Sequence, residues 1–447
     1  MKIHALSRSL AVVAALLAAP AMAEQFGPLE VVAFVKDEVT TCDNCSTGLV
    51  NPSSFDPRGV LNPSSGPKLN QGGEADNTHA NLFLAMLILG LSHEFDNAVR
   101  IEGKATARMR NGKEDIFDNW LIDLYAGVSY PKAGSLQIGK ISSRSWTRAD
   151  SFAYPLGLSS PWAESGAGYG VFPEAVRYAT PEFELPFGKI RFEATLARAD
   201  ERPPLNPDSS VTAPPSPDLT EFFVQYSNER NLVELIFQDS HGGRQSSFSK
   251  GAFYGAQGDT NNPPTGSPGY SRPWENVLLL EGNFWLNPTW KFSYGLKRSE
   301  WSGQQQQCDF GAVSPVQNNC FFDQPGFNYA SDARLHRAEE WDAMLGAAYT
   351  RDLWVFTLGG VRMNKAYTKT PTEWGQSNSA TFLNLGAYRK VPELYRKMQV
   401  YAGLGRIQFD KQGPAPLSMP SNTAFGGVDP RVSKSGNTLT VGVNIDY

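Results

Sequence analysis

The chain has 447 residues, of which 41% are hydrophobic, 12% aromatic and 19% charged, with 41 Gly, 31 Pro and a formal net charge of -5. That acidic balance excludes a polybasic nucleic-acid binder. The longest apolar run after the first residues, Leu82 to Leu91, is about half the ~20 residues that a membrane helix needs, so a helical membrane protein is excluded as well.

Met1 to Ala23 has a basic start (Lys2, Arg8), an apolar run from Leu10 to Ala19 and the small-residue site Ala21-Met22-Ala23. This pattern is that of a cleavable secretory signal and is left out of the fold. Its loss takes the formal charge from -5 to -7 and leaves residues 24–447 as one domain. An exported chain rich in Gly, Pro and aromatics points to a β protein of the cell envelope. A mean hydropathy of -0.35 is compatible with a membrane barrel, whose strands are apolar on one face only and whose loops are polar.

From Glu30 onward, segments of about ten residues with alternating polarity recur. Glu30–Glu38 is the first, followed by a long loop with Cys42, Cys45 and a Pro/Ser/Gly-rich run to Asp76. Asn81–Phe95 is apolar on both faces, which suggests a contact with another protomer. A turn at Asp96-Asn97 leads into Ala98–Arg110, where Arg100, Glu102, Lys104, Thr106, Arg108 and Arg110 oppose Val99, Ile101, Gly103, Ala105, Ala107 and Met109. One Arg or Lys facing lipid at the midplane costs ~2–4 kcal/mol, so this charged face must see water.

Further strands are expected at Trp120–Tyr130, Ser135–Ile141, Val176–Leu185, Lys189–Arg198, Leu219–Asn228 and Asn231–Asp239, then at Glu275–Leu286, Trp290–Trp301, Glu340–Thr350, Leu353–Asn364, Thr381–Tyr388 and Lys397–Ile407. Asn437–Tyr447 is the last. There Leu439, Val441, Val443, Ile445 and Tyr447 alternate with Thr438, Thr440, Gly442, Asn444 and Asp446, as in a closing strand with lipid on one side and water on the other. About sixteen strands result, joined by alternately short and long connections. Trp120, Trp290, Trp301, Trp341, Tyr349, Tyr388 and Tyr447 fall where interfacial girdles would lie.

Four cysteines remain after cleavage. In an oxidising compartment the even count reads as two disulfides, Cys42 with Cys45 and Cys308 with Cys320. Half of a metal site at Cys42 and Cys45 is the alternative, without a second CxxC or paired His near it. Catalysis finds little support: Ser240 and His241 are adjacent on a strand and point to opposite faces. No phosphate-cradling loop precedes a helix, and no cofactor is expected.

Gly134-Ser135-Leu136-Gln137-Ile138-Gly139-Lys140 resembles the fifth strand of the trimeric Gram-negative general porins. Ala175-Val176-Arg177-Tyr178-Ala179-Thr180-Pro181-Glu182-Phe183 is similar to the strand after their third loop. The resemblance implies an all-β fold, a transmembrane antiparallel β-barrel of about sixteen strands with an inward-folded third extracellular loop. It implies a homotrimer in outer-membrane lipid and lipopolysaccharide, passing small hydrophilic solutes and ions by passive diffusion. A substrate-specific channel or transporter and a non-conducting structural or adhesive barrel are the alternatives.

By position the inward loop is Ser142 to Ala175. Its acids Asp150, Glu164 and Glu174 would face wall bases Lys104, Arg108, Lys140 and Arg177, while the loop itself also carries Arg144 and Arg148. That set of charges suggests a mild preference for anions. Strict alternation puts Arg177 on the face of Phe183 and Lys140 on that of Leu136 and Ile138, so either a bulge resets each register or these two bases miss the lumen.

Overall fold

The structure is a computed structural model and describes residues 25–26, 29–43, 45–46, 75–76, 79–110, 121–151, 170–198, 218–241, 274–301, 338–365, 367–368, 379–395, 397–411 and 433–446. The signal sequence, Cys308, Cys320 and the side chains of Cys42 and Cys45 lie outside those residues.

Sixteen long strands among the described residues form one antiparallel sheet. They are β1 (Leu29–Cys42), β2 (His79–Glu94), β3 (Arg100–Arg110), β4 (Leu121–Tyr130), β5 (Gly134–Ser142), β6 (Val171–Ala179), β7 (Gly188–Arg198) and β8 (Asp218–Ser227). The second half comprises β9 (Asn231–His241), β10 (Trp274–Trp285), β11 (Trp290–Trp301), β12 (Ala338–Arg351), β13 (Trp354–Met363), β14 (Ala380–Lys390), β15 (Met398–Phe409) and β16 (Ser435–Asp446). Each pairs with its neighbours in sequence, and β1 pairs with both β2 and β16, which closes the barrel. Closure leaves no sheet edge, the condition for a β-structure to sit in hydrocarbon.

Short turns alternate with long connections as the sequence leads one to expect. The turns are built by residues suited to them. Asn228 and Asn287 each accept two backbone N–H bonds from the residues two and three positions on, at 2.8–2.9 Å, and the Asn97 side chain does the same once, an Asx-turn chemistry. Gly134 closes its turn at φ 87°, a left-handed conformation that suits glycine.

The outward face carries Leu87, Leu89, Leu91, Leu196, Leu345, Leu358, Leu383, Leu404 and Val441, all exposed. At the short-turn end Trp290, Phe292, Tyr349, Phe356 and Trp354 form a continuous aromatic belt with ring centroids 4.8–6.5 Å apart, where an amphipathic ring meets the headgroup level. Tyr388 is an exception to the expected girdle: it packs inward against a buried apolar cluster.

Two segments depart from the strict period. The strand expected at Val176–Leu185 runs instead from Val171 to Ala179, and Phe183–Leu185 is a separate short strand paired with Gly188–Ile190. Pro181 has no N–H for the ladder, so the chain leaves it there. The inward face of β13 (Val355, Thr357, Val361, Met363) is largely apolar and opposes the outward Trp354, Phe356 and Leu358, which accounts for its weak alternation in sequence.

The closing seam has its own device. On the inner wall Tyr401 of β15 is paired with Gly442 of β16, and Gly442 with Glu38 of β1. With no side chain at Gly442, the Tyr401 ring lies across the strand and its hydroxyl donates to Glu38 Oε2 at 2.8 Å. Lys36 pairs with the same carboxylate oxygen at 2.7 Å, and one row outward Thr40 and Thr440 share a 2.9 Å hydroxyl bond. Tyr401→Phe removes one bond from a buried carboxylate and is expected to lower stability by ~1–3 kcal/mol. Gly442→Val, which drives a side chain into the ring, should cost more than that. Urea unfolding of the barrel in detergent or bilayer orders the two, and equal or negligible effects would show that the seam does not depend on this contact.

Candidate functional site

The segment after β5 begins with an eight-residue helix, α1 (Arg144–Ser151). Its sequence accounts for its start: the Ser143 hydroxyl accepts the Trp146 N–H at 3.1 Å, an N-cap bond. Its second cap comes from the barrel wall. Glu221 of β8 accepts the backbone N–H groups of Arg144 at 2.8 Å and Ser145 at 3.2 Å, a carboxylate placed at the positive end of the helix.

Arg144 and Arg148 are four residues apart and so share one face of the helix. Arg144 forms a two-bond fork on Glu193 of β7, at 2.6 and 3.0 Å. Arg148 pairs with Glu234 of β9 at 3.3 Å, and both guanidinium groups lie over the Phe223 ring, 5.5 and 5.7 Å from its centroid. Gln238 of β9 donates to the Ser145 hydroxyl at 3.0 Å. Glu193, Glu221, Phe223, Glu234 and Gln238 alternate with the outward Phe192, Phe222, Leu235 and Phe237, so the helix is seated on the inner wall. Burial alone would lower the pKa of Arg144. The adjacent Glu193, with Glu221 and Glu234 behind it, more than offsets that and raises it above the ordinary arginine value, so the base stays charged.

Arg177 of β6 completes the cluster. Its guanidinium donates to Thr195 at 2.8 Å, to the Ser142 carbonyl at 2.9 Å and to Glu221 at 3.3 Å, with Glu193 4.0 Å away. Ser142 in turn donates through its N–H and hydroxyl to Asp123 at 2.9 and 2.8 Å, and Asp123 pairs with Lys104 at 3.2 Å. A continuous chain of polar contacts therefore runs from Lys104 on β3 through Asp123, Ser142, Arg177 and Glu221 to Gln238 on β9, crossing under the helix.

Of the expected site residues, Lys104, Arg144, Arg148 and Arg177 join this network, and Arg108 is buried on the same inner face of β3 as Lys104. Three expectations change. Lys140 stands opposite Leu124 on the outward face with Leu136 and Ile138. The irregularity there sets one residue of β5, Lys140, against two of β6, between Phe172 and Ala175, so it resets β6 and leaves Lys140 facing out. Glu174 belongs to β6 rather than to the loop, and lies outward beside Arg198 at 3.9 Å, both ends well exposed. The side chain of Asp150 and the whole of Glu164 lie outside the described residues.

The third concerns the partners of the loop bases, for which none was expected. Acids on the loop were expected to face bases on the wall. In α1 the loop supplies bases, and the wall supplies Glu193, Glu221 and Glu234. Glu193 and Glu234 were readable as inward residues, since each sits between apolar residues at period two, and Glu221 shares the face of Phe223 opposite the outward Phe222. Their partners were not, because nothing in a period identifies which strand meets which loop.

The inward apolar residues of β2 also find a use. Met86 packs with Ile122, Val171 and Trp146 of the helix. The double apolarity of that strand is met in part from inside the barrel.

No protein-family model and no curated relative matches the chain by sequence. Solved structures do match over nearly the whole length. An anion-selective porin from Comamonas acidovorans superposes with a TM-score of 0.55 at 11% identity, covering 94% of this chain and 99% of that one. OmpF of Salmonella typhi in complex with daunomycin gives 0.53 at 11%, covering 94% and 98%. OmpT of Vibrio cholerae in its trimer form also gives 0.53 at 11%, covering 94% and 99%. The chain thus has the sixteen-stranded fold of the general porins.

Removing one partner from a buried ion pair costs ~3–5 kcal/mol because a charge is left uncompensated. Glu221→Gln should fall at the lower end of that range and loosen the helix, since Thr195, the Ser142 carbonyl and Glu193 still surround Arg177. Glu174→Gln, at an exposed pair, should cost under ~1 kcal/mol. Urea midpoints of the folded barrels compare the two, and similar losses would mean that the network adds nothing to the fold.

Proposed function

We propose that the chain is an outer-membrane porin, exported by its signal sequence and assembled as a homotrimer, through which small hydrophilic solutes and ions diffuse passively. The observation that carries this reading is the closed barrel with two unlike faces: exposed Leu and aromatic side chains outside, and a cross-strand row of Lys, Arg, Asp and Glu inside. Hydrocarbon accepts the first, and only water accepts the second. The trimer rests on the fold shared with OmpT of Vibrio cholerae, described in a trimer form.

In this reading the segment after β5 folds inward and α1 is its anchored beginning. The mild anion preference expected from Arg144, Arg148 and Arg177 is weakened, because each of these bases is paired with a wall carboxylate. The proposed conduit is accordingly close to neutral in its choice of ions. No catalytic step is proposed; the side chains of Ser240 and His241 lie outside the described residues.

Purified, detergent-folded protein in a planar bilayer under a salt gradient tests this. Stepwise conductance with a reversal potential near zero is expected. A large shift toward either ion would overturn the near-neutral conduit, and absence of conductance would leave a structural or adhesive barrel.

A further inference from the structure

One acid is out of place on the apolar outer wall. On β1, Lys36 and Glu38 point inward and meet each other and Tyr401, so Asp37 between them points outward. Its neighbours on that face of the strand are Val35 and Val39, and across the ladder it stands opposite Val443 of β16 and Phe83 of β2. Among the described residues it is the one Asp, Glu, Lys or Arg on the outer face with outward apolar neighbours two positions away on both sides of its strand. Its Oδ1 is buried and has no hydrogen-bond partner. A carboxylate in that setting has neither water nor a donor, and an ionisable group at membrane depth calls for a partner.

Lys140 is its counterpart of opposite sign. It ends the outward face of β5 after Leu136 and Ile138 and stands opposite Leu124 of β4. The two lie at a similar depth: Asp37 is eight residues above the short-turn end of β1 at Leu29, and Lys140 six above that of β5 at Gly134. With the rise and tilt of barrel strands the difference in height is about 5 Å, within the reach of a lysine side chain. Inside one barrel they stay apart, because β2, β3 and β4 stand between them, about 19 Å around the wall. The outer face in between is low, with Ala85 of β2, Gly103, Ala105 and Ala107 of β3 and Ala126 of β4. The far side of the barrel carries Phe292, Leu296, Leu345, Phe356 and Leu358 instead. Small side chains let two membrane-embedded walls approach closely.

Resting on the homotrimer reading above, we infer that Asp37 of one protomer forms an ion pair with Lys140 of the partner subunit, on the outer face of the barrel wall, at each contact of the trimer. A closed ring of three needs a head-to-tail contact, in which one patch meets a different one. An acid on β1 and a base on β5 meet that condition. A two-fold contact centred on β1 would instead set Asp37 beside its own copy. The pair gives the carboxylate the donor it lacks within its own chain, and it removes both charges from hydrocarbon. Because the two residues are of opposite sign and sit on different strands, it also fixes which edge of one barrel meets which edge of the next.

The test uses the full mature chain, folded in detergent. An apolar carbodiimide joins a carboxylate directly to an amine with loss of water. On the wild-type protein it should yield covalent dimers and trimers, and peptide mapping should find Asp37 joined to Lys140. Asp37→Lys and Lys140→Asp should each lower the temperature at which the trimer separates on a gel, and the two together should restore it. Asp37→Asn should lower it as well, whereas Arg198→Gln, outward but beyond the contact, should leave it unchanged. Coupling of Asp37 to another lysine, or no coupling at all in a protein that runs as a trimer, would overturn the pair. So would a double variant no more stable than the weaker single one. The coupling result stands even where a single variant fails to fold. A wild-type protein that is monomeric after mild extraction would instead remove the homotrimer reading on which the pair rests.

Discussion

Closure is the constraint on which the rest of this structure depends. A β-strand in hydrocarbon has no water to satisfy its backbone N–H and C=O groups, and each group left open costs several kcal/mol. Sixteen strands satisfy one another only if the last meets the first. The seam between β16 and β1 is therefore where the chain must be most specific in register. A slip of one residue would turn every side chain of β16 to the other face. The Tyr401 hydroxyl reaching Glu38 over Gly442 fits one register only, because the neighbouring inward positions of β16, Thr440 and Asn444, carry side chains that would stand in the ring's way.

Once the sheet is closed, each position has one of two solvents, and the charged residues must be arranged accordingly. Arg177, Glu193 and Glu221 are buried, and the charge of each is shared among several partners that include Arg144. Each carboxylate takes bonds from more than one donor, and the Arg144 fork on Glu193 is the bidentate geometry that makes such pairs strong. Desolvation and attraction nearly cancel in a buried pair. The network's contribution is thus mainly one of position: it fixes the first turn of the loop after β5 to a defined place on the wall.

Much of this was legible in the sequence, and the parts that were not have physical reasons. Period-two alternation located most of the sixteen strands because each long strand has lipid on one side, and Ala98–Arg110 showed most clearly which side is wet. Alternation fails where one residue is inserted. Lys140 and Arg177 both looked misplaced by strict parity, and the irregularity between Phe172 and Ala175 together with the break at Pro181 returns Arg177 to the inside while Lys140 stays out. A bulge changes parity without leaving a residue type that announces it. Arg144, Arg148 and Arg177 were identified from the sequence, but their partners Glu193, Glu221 and Glu234 were not, since pairing is a tertiary fact. The inward apolar row of β8–β15, through Phe223, Ile236, Leu279, Met344, Val361, Phe382 and Ile407, was hidden for a related reason: an apolar residue at an inward position reads as noise in a pattern that expects polarity there.

That row alters how the barrel works. An inner wall made wholly of polar groups would leave its centre equally available to a solute from every side. Here seven of the eight strands β8–β15 present Phe, Ile, Leu, Met or Val inward, and the only charged members of the row, Lys297 and Asp342, are turned on each other and out of solvent. Water gains nothing there, and a bare ion loses its hydration without replacement. On β3, Lys104 is likewise paired, with Asp123 at 3.2 Å, though its side chain is 35% exposed. Desolvation is therefore costly at that level of the wall, and the charges found there are held by partners on neighbouring strands rather than by solvent.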